Sequence, residues 1–465
     1  MKEKVRNLIF GCISVLGGVL IHFAFGFFYS TANIVPYIIS YIVVRVDPEL
    51  PNTSSVWISG IALAMQGVSM PFGGLVARKW GFRIVVAVSC LLDSISIFLT
   101  YVTIQRSFPG VIITYSVLQG LGLGFGYSVV LSVAATWFPK RRGLVVGVIV
   151  GGFGLGALVF TPIETALINP SNIPVDPKTR HFTHPDILDR VPVAFLILGG
   201  ILLALQIIGF ILLRPKPLES TQDRDTELVV RNRINSDPNP VIGRLHFYLL
   251  WFVMFCDIIP ITIITSAYKL FGAQYIDDDQ FLSIVATFSS LFNAGGRVIW
   301  GAIVDRLSFK IPMMIMLVIW AIVLLSFPHI GSLSSVGLKV MYAIWVFILF
   351  FSLSGVFVIQ PAATGILFGP LNMAVNYGII FTGFTVGSIL CAIITYFINT
   401  PNAYLVQFTG CGCVCIVALI ASVWIEDRKM SKRCKICNCC TTMCKSLRVG
   451  YHGIEGTEAI LDDTS

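Results

Sequence analysis

Residues 74–83 read GLVARKWGFR and residues 301–310 read GAIVDRLSFK. Each is a short charged run set between two long apolar stretches, and the two begin 227 positions apart. A second pair keeps nearly that distance. GVIVGGFGLGAL from Gly147 and GIIFTGFTVGSI from Gly378 are offset by 231, with Gly147/Gly378, Gly152/Gly383, Phe153/Phe384 and Gly156/Gly387 coinciding. Landmarks that recur in register indicate a chain built twice over on one plan.

The apolar stretches are membrane spans. The 465 residues are 56% hydrophobic and 12% charged, whereas soluble domains carry about 25% charged residues. Windows of about 20 apolar residues predict six spans near 8–30, 56–77, 82–104, 109–137, 143–168 and 192–213. Six more follow near 245–268, 281–304, 311–329, 335–359, 373–398 and 403–425. Residues 33–44 read as an extension of the first helix, bent around Pro36. The expected fold is an all-α membrane protein with two six-helix halves, at 1–213 and 244–425. A Pro-rich charged linker (214–243) joins them, and a Cys-rich tail (426–465) follows.

The net charge of +8 is not a nucleic-acid footprint, because its distribution has a simpler cause. Placing both termini and every second loop on one side gathers 24 of the 32 Lys and Arg residues there. The positive-inside bias then predicts cytosolic termini. No cysteine falls in an opposite-side loop, so no disulfide is expected. The one glycosylation sequon, Asn52-Thr53-Ser54, falls in the first of those loops. The short N-terminus leaves no room for a cleavable leader before the first span, and a plasma membrane is expected rather than an organelle membrane. The tail run CKICNCCTTMCK (434–445) has one CxxC without a second pair at zinc-finger spacing. Reversible palmitoylation of these cysteines fits better than a metal site.

The loop pattern G-x-x-x-D-R/K-x-G-R-R is the hallmark of the major facilitator superfamily, which this chain resembles. Gly74 and Arg83 fit it in the first half, but Arg78 stands where the family has Asp. Gly301, Asp305 and Arg306 fit in the second. In the family this motif latches helices on the cytoplasmic side, so the resemblance puts the first-half latch in question. YSTANIVPYIISY (29–41), ATWFPKRRGLVVGVIVGGFGLGALVF (135–160), the GGR ending at Arg297 and NYGIIFTGF (376–384) further resemble the oxalate:formate antiporter and monocarboxylate transporter group.

Arg297 is the one Lys or Arg set in the middle of a span rather than near its end. Arginine at mid-helix costs about 2.5–3.5 kcal/mol on insertion scales and therefore faces a wet cavity or a buried partner. Its guanidinium stays charged and grips a carboxylate by two parallel hydrogen bonds. The alternative is a structural ion pair with Asp93, Asp257 or Glu164. The resemblance implies that Arg297 binds a substrate carboxylate. It also implies an acid where Asn293 stands, in proton-coupled monocarboxylate carriers, and a lysine where Phe384 stands, in oxalate carriers. One fixed cation beside an aromatic ring suits one carboxylate with a short apolar tail. Phe384 as plain packing remains the other reading. Tyr29, Tyr127 and Trp345 match pocket walls of oxalate-type carriers, and Asn33 is a further polar candidate.

For proton coupling, Asp257 ranks first because helix 7 lines the cavity in the superfamily. Glu164, Asp93 and His22 follow. The expected activity is secondary transport of a lactate- or pyruvate-like anion, with a proton and no cofactor. Anion exchange of the oxalate:formate type is one alternative, and a transporter-like receptor that moves nothing is another. No nucleophile, base and metal set suggests an enzyme.

Overall fold

The first helix shows how the sequence shapes the bundle. It runs through Val5–Arg45, but residues Gly26–Ser30 (GFFYS) tighten into a 3-10 turn. This turn lies upstream of Pro36, which itself sits inside the helical stretch Thr31–Arg45. The cause of the turn is a close crossing, since a Cβ on Gly156 would lie 2.2 Å from the Gly26 carbonyl carbon. Only two glycines let these backbones meet, and small residues at such crossings are how membrane helices approach.

The computed structural model describes residues 2–51, 54–171, 173, 176, 181–216, 245–276, 278–332, 334–369, 372–397 and 403–427. Most of the linker, the Asn52-Thr53 part of the sequon and the tail cysteines lie outside them. After α1 (Val5–Arg45) come α2 (Ser55–Trp80), α3 (Phe82–Thr103) and α4 (Phe108–Ala135). α5 (Arg142–Ile168) and α6 (Pro185–Leu212) complete the first half. The second half comprises α7 (Leu245–Ala273), α8 (Asp279–Leu307), α9 (Lys310–Ser326), α10 (Ser335–Phe368), α11 (Met373–Phe397) and α12 (Ala403–Val423). Helices satisfy their own backbone hydrogen bonds, which lipid cannot do.

Packing repeats as the sequence landmarks do. α1 packs on α5 and α6, α2 on α4, and α3 on α4 and α6. In the second half α7 packs on α11 and α12, α8 on α10, and α9 on α10 and α12. Two seams join the halves, α5 with α8 and α2 with α11. Eleven helices among the described residues are long and apolar enough to cross a membrane. The twelfth is α8, 29 residues long, whose polar content includes Asn293, Arg297, Asp305 and Arg306.

The loop motif works through the α5–α8 seam. Asp305 accepts from the backbone N–H groups of Gly143 and Leu144, each at 2.8 Å. These are free donors in the first turn of α5, where a carboxylate also meets the positive end of the helix dipole. Gly301 lies against Gly143 beside that contact. At the other seam Gly74 lies against the Ala374–Val375 backbone, with no carboxylate at position 78 to cap α11. Arg78 lies in the last turn of α2, Arg306 in the last turn of α8, and the Arg83 guanidinium sits 5.9 Å from the Phe82 ring.

Candidate functional site: a buried arginine beneath two cavities

Arg297 sits where the halves meet and is fully buried. It reaches across the seam, donating from Nη1 to the Val150 carbonyl of α5 at 2.6 Å. Nη2 donates to the Tyr29 hydroxyl at 3.3 Å and Nε to Asn293 Oδ1 at 3.2 Å. Three rings surround it, with centroids 4.9 Å (Phe357), 5.7 Å (Tyr29) and 5.7 Å (Phe153) from Cζ. Aromatic faces attract a cation without neutralising it. Among the described residues no carboxylate pairs with Arg297. The three acids offered as structural partners are engaged elsewhere.

Those engagements sort the titratable candidates. Asp93 accepts from Gln206 Nε2 at 2.6 Å, which joins α3 to α6. Asp257 accepts from Gln360 Nε2 at 3.2 Å, which joins α7 to α10. Neither lines a cavity beside Arg297, so the first rank given to Asp257 has no geometric support. Glu164 is bonded instead by Ser30, from the α1 turn, and by Asn33 Nδ2 at 2.8 Å. His22 lies within α1, 4.8 Å from the Tyr127 ring, with Nδ1 3.2 Å from the Gly18 carbonyl.

Two cavities adjoin the arginine on the side opposite the α2–α3 and α8–α9 loops. The larger, about 950 Å³, is lined by Tyr29, Asn33, Asn293, Ser289, Ser290 and Lys269, among others. The smaller, about 610 Å³, touches Tyr29, Tyr127, Phe153, Phe357 and Phe384. Polar groups thus converge in one and aromatic rings in the other, with Tyr29 shared. Such a pair suits a small anion with an apolar end. Phe384 stacks on Phe381 at 4.6 Å and still faces the smaller cavity, so packing and lining are both true of it.

Trp345 is misplaced by the sequence reading. Its indole donates to Ser326 Oγ on α9 at 2.9 Å, and it lines neither cavity. A helix apolar on all sides gives no sequence cue to which face an aromatic residue occupies. Lys269 is the residue that was missed. The predicted span ended at 268, which left Lys269 among loop cations, but α7 continues to Ala273 and carries it into the cavity wall.

Comparison with known proteins agrees with this geometry. The chain is 27% identical over 453 residues to "Apicoplast pyruvate carrier 1" of Toxoplasma gondii, covering 82% of each protein. It is 26% identical over 332 residues to the "Oxalate:formate antiporter" of Oxalobacter formigenes, covering 71% of this chain and 72% of that one. A solved structure of the proton:xylose symporter XylE superposes with a TM-score of 0.66 at 15% identity, over 90% of this chain and 96% of that one. The Major Facilitator Superfamily profile matches residues 16–249 and 250–435. With the duplicated six-helix plan and the two matched stretches covering most of its length, the chain belongs to the Major Facilitator Superfamily and is an integral multi-pass membrane transporter.

Proposed function

We propose that this protein is a secondary carrier for a small monocarboxylate of the lactate or pyruvate kind, moved with a proton by alternating access. The observation that carries the reading is Arg297, a buried permanent cation without a carboxylate partner among the described residues, set against both a polar and an aromatic cavity. A carboxylate arriving there supplies the missing counter-charge and replaces the long Tyr29 contact with a charge-assisted one. The positive-inside bias of the basic loops supports cytosolic termini, and with that orientation the cavities open away from the cytosol. The names of the pyruvate carrier and oxalate:formate antiporter support the substrate class.

Lys269 supports a second reading. A second cation on the wall of the larger cavity suits a dicarboxylate, and hence organic-anion exchange. Uptake of labelled pyruvate or lactate by the purified protein in liposomes separates the two. Symport responds to a pH gradient, whereas exchange requires internal carboxylate and ignores the gradient. Arg297→Ala and Arg297→Lys are expected to lower saturable uptake about 100-fold, the scale of losing a buried charged hydrogen-bond partner. Unchanged uptake in both variants, or no uptake by the wild type, defeats the carboxylate-carrier reading.

A further inference from the structure

We propose that Glu164 binds the co-transported proton and that its state reaches Arg297 through the 3-10 turn of α1. This rests on the proton-coupled reading above and assigns its residue and route.

Counting hydrogens gives the argument. Ser30 Oγ contacts two oxygens, the Phe27 carbonyl at 2.7 Å and Glu164 Oε1. A hydroxyl carries one hydrogen and a carbonyl carries none. With the Ser30 hydrogen on Phe27, the contact to Oε1 needs a hydrogen from Glu164. The other oxygen, Oε2, accepts from Asn33 Nδ2 at 2.8 Å. A neutral carboxylic acid, with one donor and one acceptor oxygen, satisfies all three partners together. An ionised carboxylate leaves Ser30 with two acceptors for one hydrogen.

Burial points the same way. Glu164 is 0% exposed, and no described cation lies within ion-pair distance of it. An unpaired charge there is costly, while a protonated acid is not. Tyr37 from α1 and Tyr115 from α4 are titratable groups that feel its charge, the latter 3.2 Å from Thr31 Oγ1 in the same stretch of α1. Arg297 from α8 and Lys269 from α7 face the larger cavity's side of this wall, and His181 lines the smaller cavity. Asn33, Thr161 and Thr165 line the larger cavity in front of the acid and give a polar way in.

The coupling follows from adjacency. Tyr29 and Ser30 are consecutive in the turn, one bonded to Arg297 and the other to Glu164. When Glu164 loses its proton, the Ser30 hydrogen leaves the Phe27 carbonyl for the carboxylate, and the turn loses a hydrogen bond. Tyr29 then shifts against the guanidinium. A substrate carboxylate on Arg297 displaces the Tyr29 hydroxyl and sends the same message in reverse. One proton forms the Glu164 O–H bond from the open side and leaves by breaking it on the other. With one anion carried on Arg297, the cycle moves no net charge.

The test uses the full chain in liposomes with labelled pyruvate. Wild type should accumulate pyruvate about tenfold faster when the label side is acidic, within the usual range of coupling between two sites. Glu164→Gln, fixed in the neutral shape, should lose that acceleration and keep pyruvate–pyruvate exchange within about twofold of wild type. Asn33→Leu removes a donor that favours the carboxylate, so the pH of half-maximal uptake should rise by about one unit. Gradient-driven accumulation that persists in Glu164→Gln overturns the assignment and leaves the carrier reading standing. Joint loss of exchange and accumulation in Glu164→Gln, with no shift in Asn33→Leu, overturns it too. A wild type that exchanges pyruvate and ignores the gradient defeats proton coupling itself, and this proposal with it.

Discussion

The two seams between the halves are related by the duplication, yet they close by different physics. Along α5–α8, glycines bring backbones together and charged side chains fasten them. A Cβ on Gly147 would lie 2.3 Å from the Arg297 carbonyl, Arg297 donates back to Val150, and Asp305 caps the end of α5. Along α2–α11 there are glycines again, at 67, 74 and 378. One hydrogen bond across this seam is a neutral one, from Thr385 Oγ1 to the Ala64 carbonyl at 3.2 Å. Duplication supplied the shape of both contacts, and the carboxylate cap of Asp305 stands at one of them. The larger cavity lies along the charged seam, with Gly154 and Asn293 in its wall, and the smaller touches the α2–α11 seam through Leu63, Gln66 and Phe384.

The largest effect that separates the seams should come from alanine at one close-packed glycine on each. Gly147→Ala drives a methyl into the backbone of α8, and overpacking of this kind costs about 1–3 kcal/mol. Pyruvate exchange should fall about tenfold, since each 1.4 kcal/mol is a factor of ten. Gly67→Ala meets the Thr385 hydroxyl, a side-chain atom that can rotate away. Its exchange rate should stay within about twofold of wild type. Equal losses would mean that the seams are energetically alike.

Next comes the cap. Asp305→Asn removes a charge worth about 1 kcal/mol at a helix N-terminus. It should increase labelling of an engineered cysteine on the basic-loop side of the bundle about fivefold. Arg78→Asp puts a carboxylate at the corresponding position of the other seam, and should reduce that labelling. Failure of both would place the closing energy in the glycine contacts alone.

The smallest effect lies at the opposite end of α8. Asp278 caps that helix through the Phe281 N–H at 3.0 Å and receives the Lys339 ammonium at 2.7 Å. The Lys339 hydrogen bond, then that backbone donor, hold its carboxyl below the ordinary value of 3.8. A lowered folded-state value gives stability that is present above pH 3.8 and is lost as pH falls through that lower value. Thermal unfolding in detergent should show wild type slightly above Asp278→Asn at neutral pH, with the two converging in acid. A gap that widens in acid would contradict the pairing.

Much of this was legible in the residues. An apolar window at 281–304 located α8, and the loop motif after it marked its end, although the whole helix is more polar than the other eleven. Arg297 stood out because charge in an apolar run is rare and expensive. Faces were illegible: α10 is apolar all round, so nothing distinguished a Trp345 that meets α9 from one that meets the cavity. The order among the acids was illegible for the same reason. Asp257 and Glu164 look alike in sequence, and the structure adds that Ser30, in the turn at Gly26–Ser30, contacts Glu164. Lys269 was lost through an error of helix length, a few residues at one end of α7.

The pairs Asp93–Gln206 and Asp257–Gln360 each lie inside one half, and their partners are 113 and 103 residues apart in the chain. At a synthesis rate of about 5–20 residues per second, each acid waits on the order of 10 s for its amide. During biogenesis α3 and α7 are therefore awkward passengers in lipid, sheltered until α6 and α10 arrive. Each half gains an internal checkpoint on its own assembly before the halves ever meet.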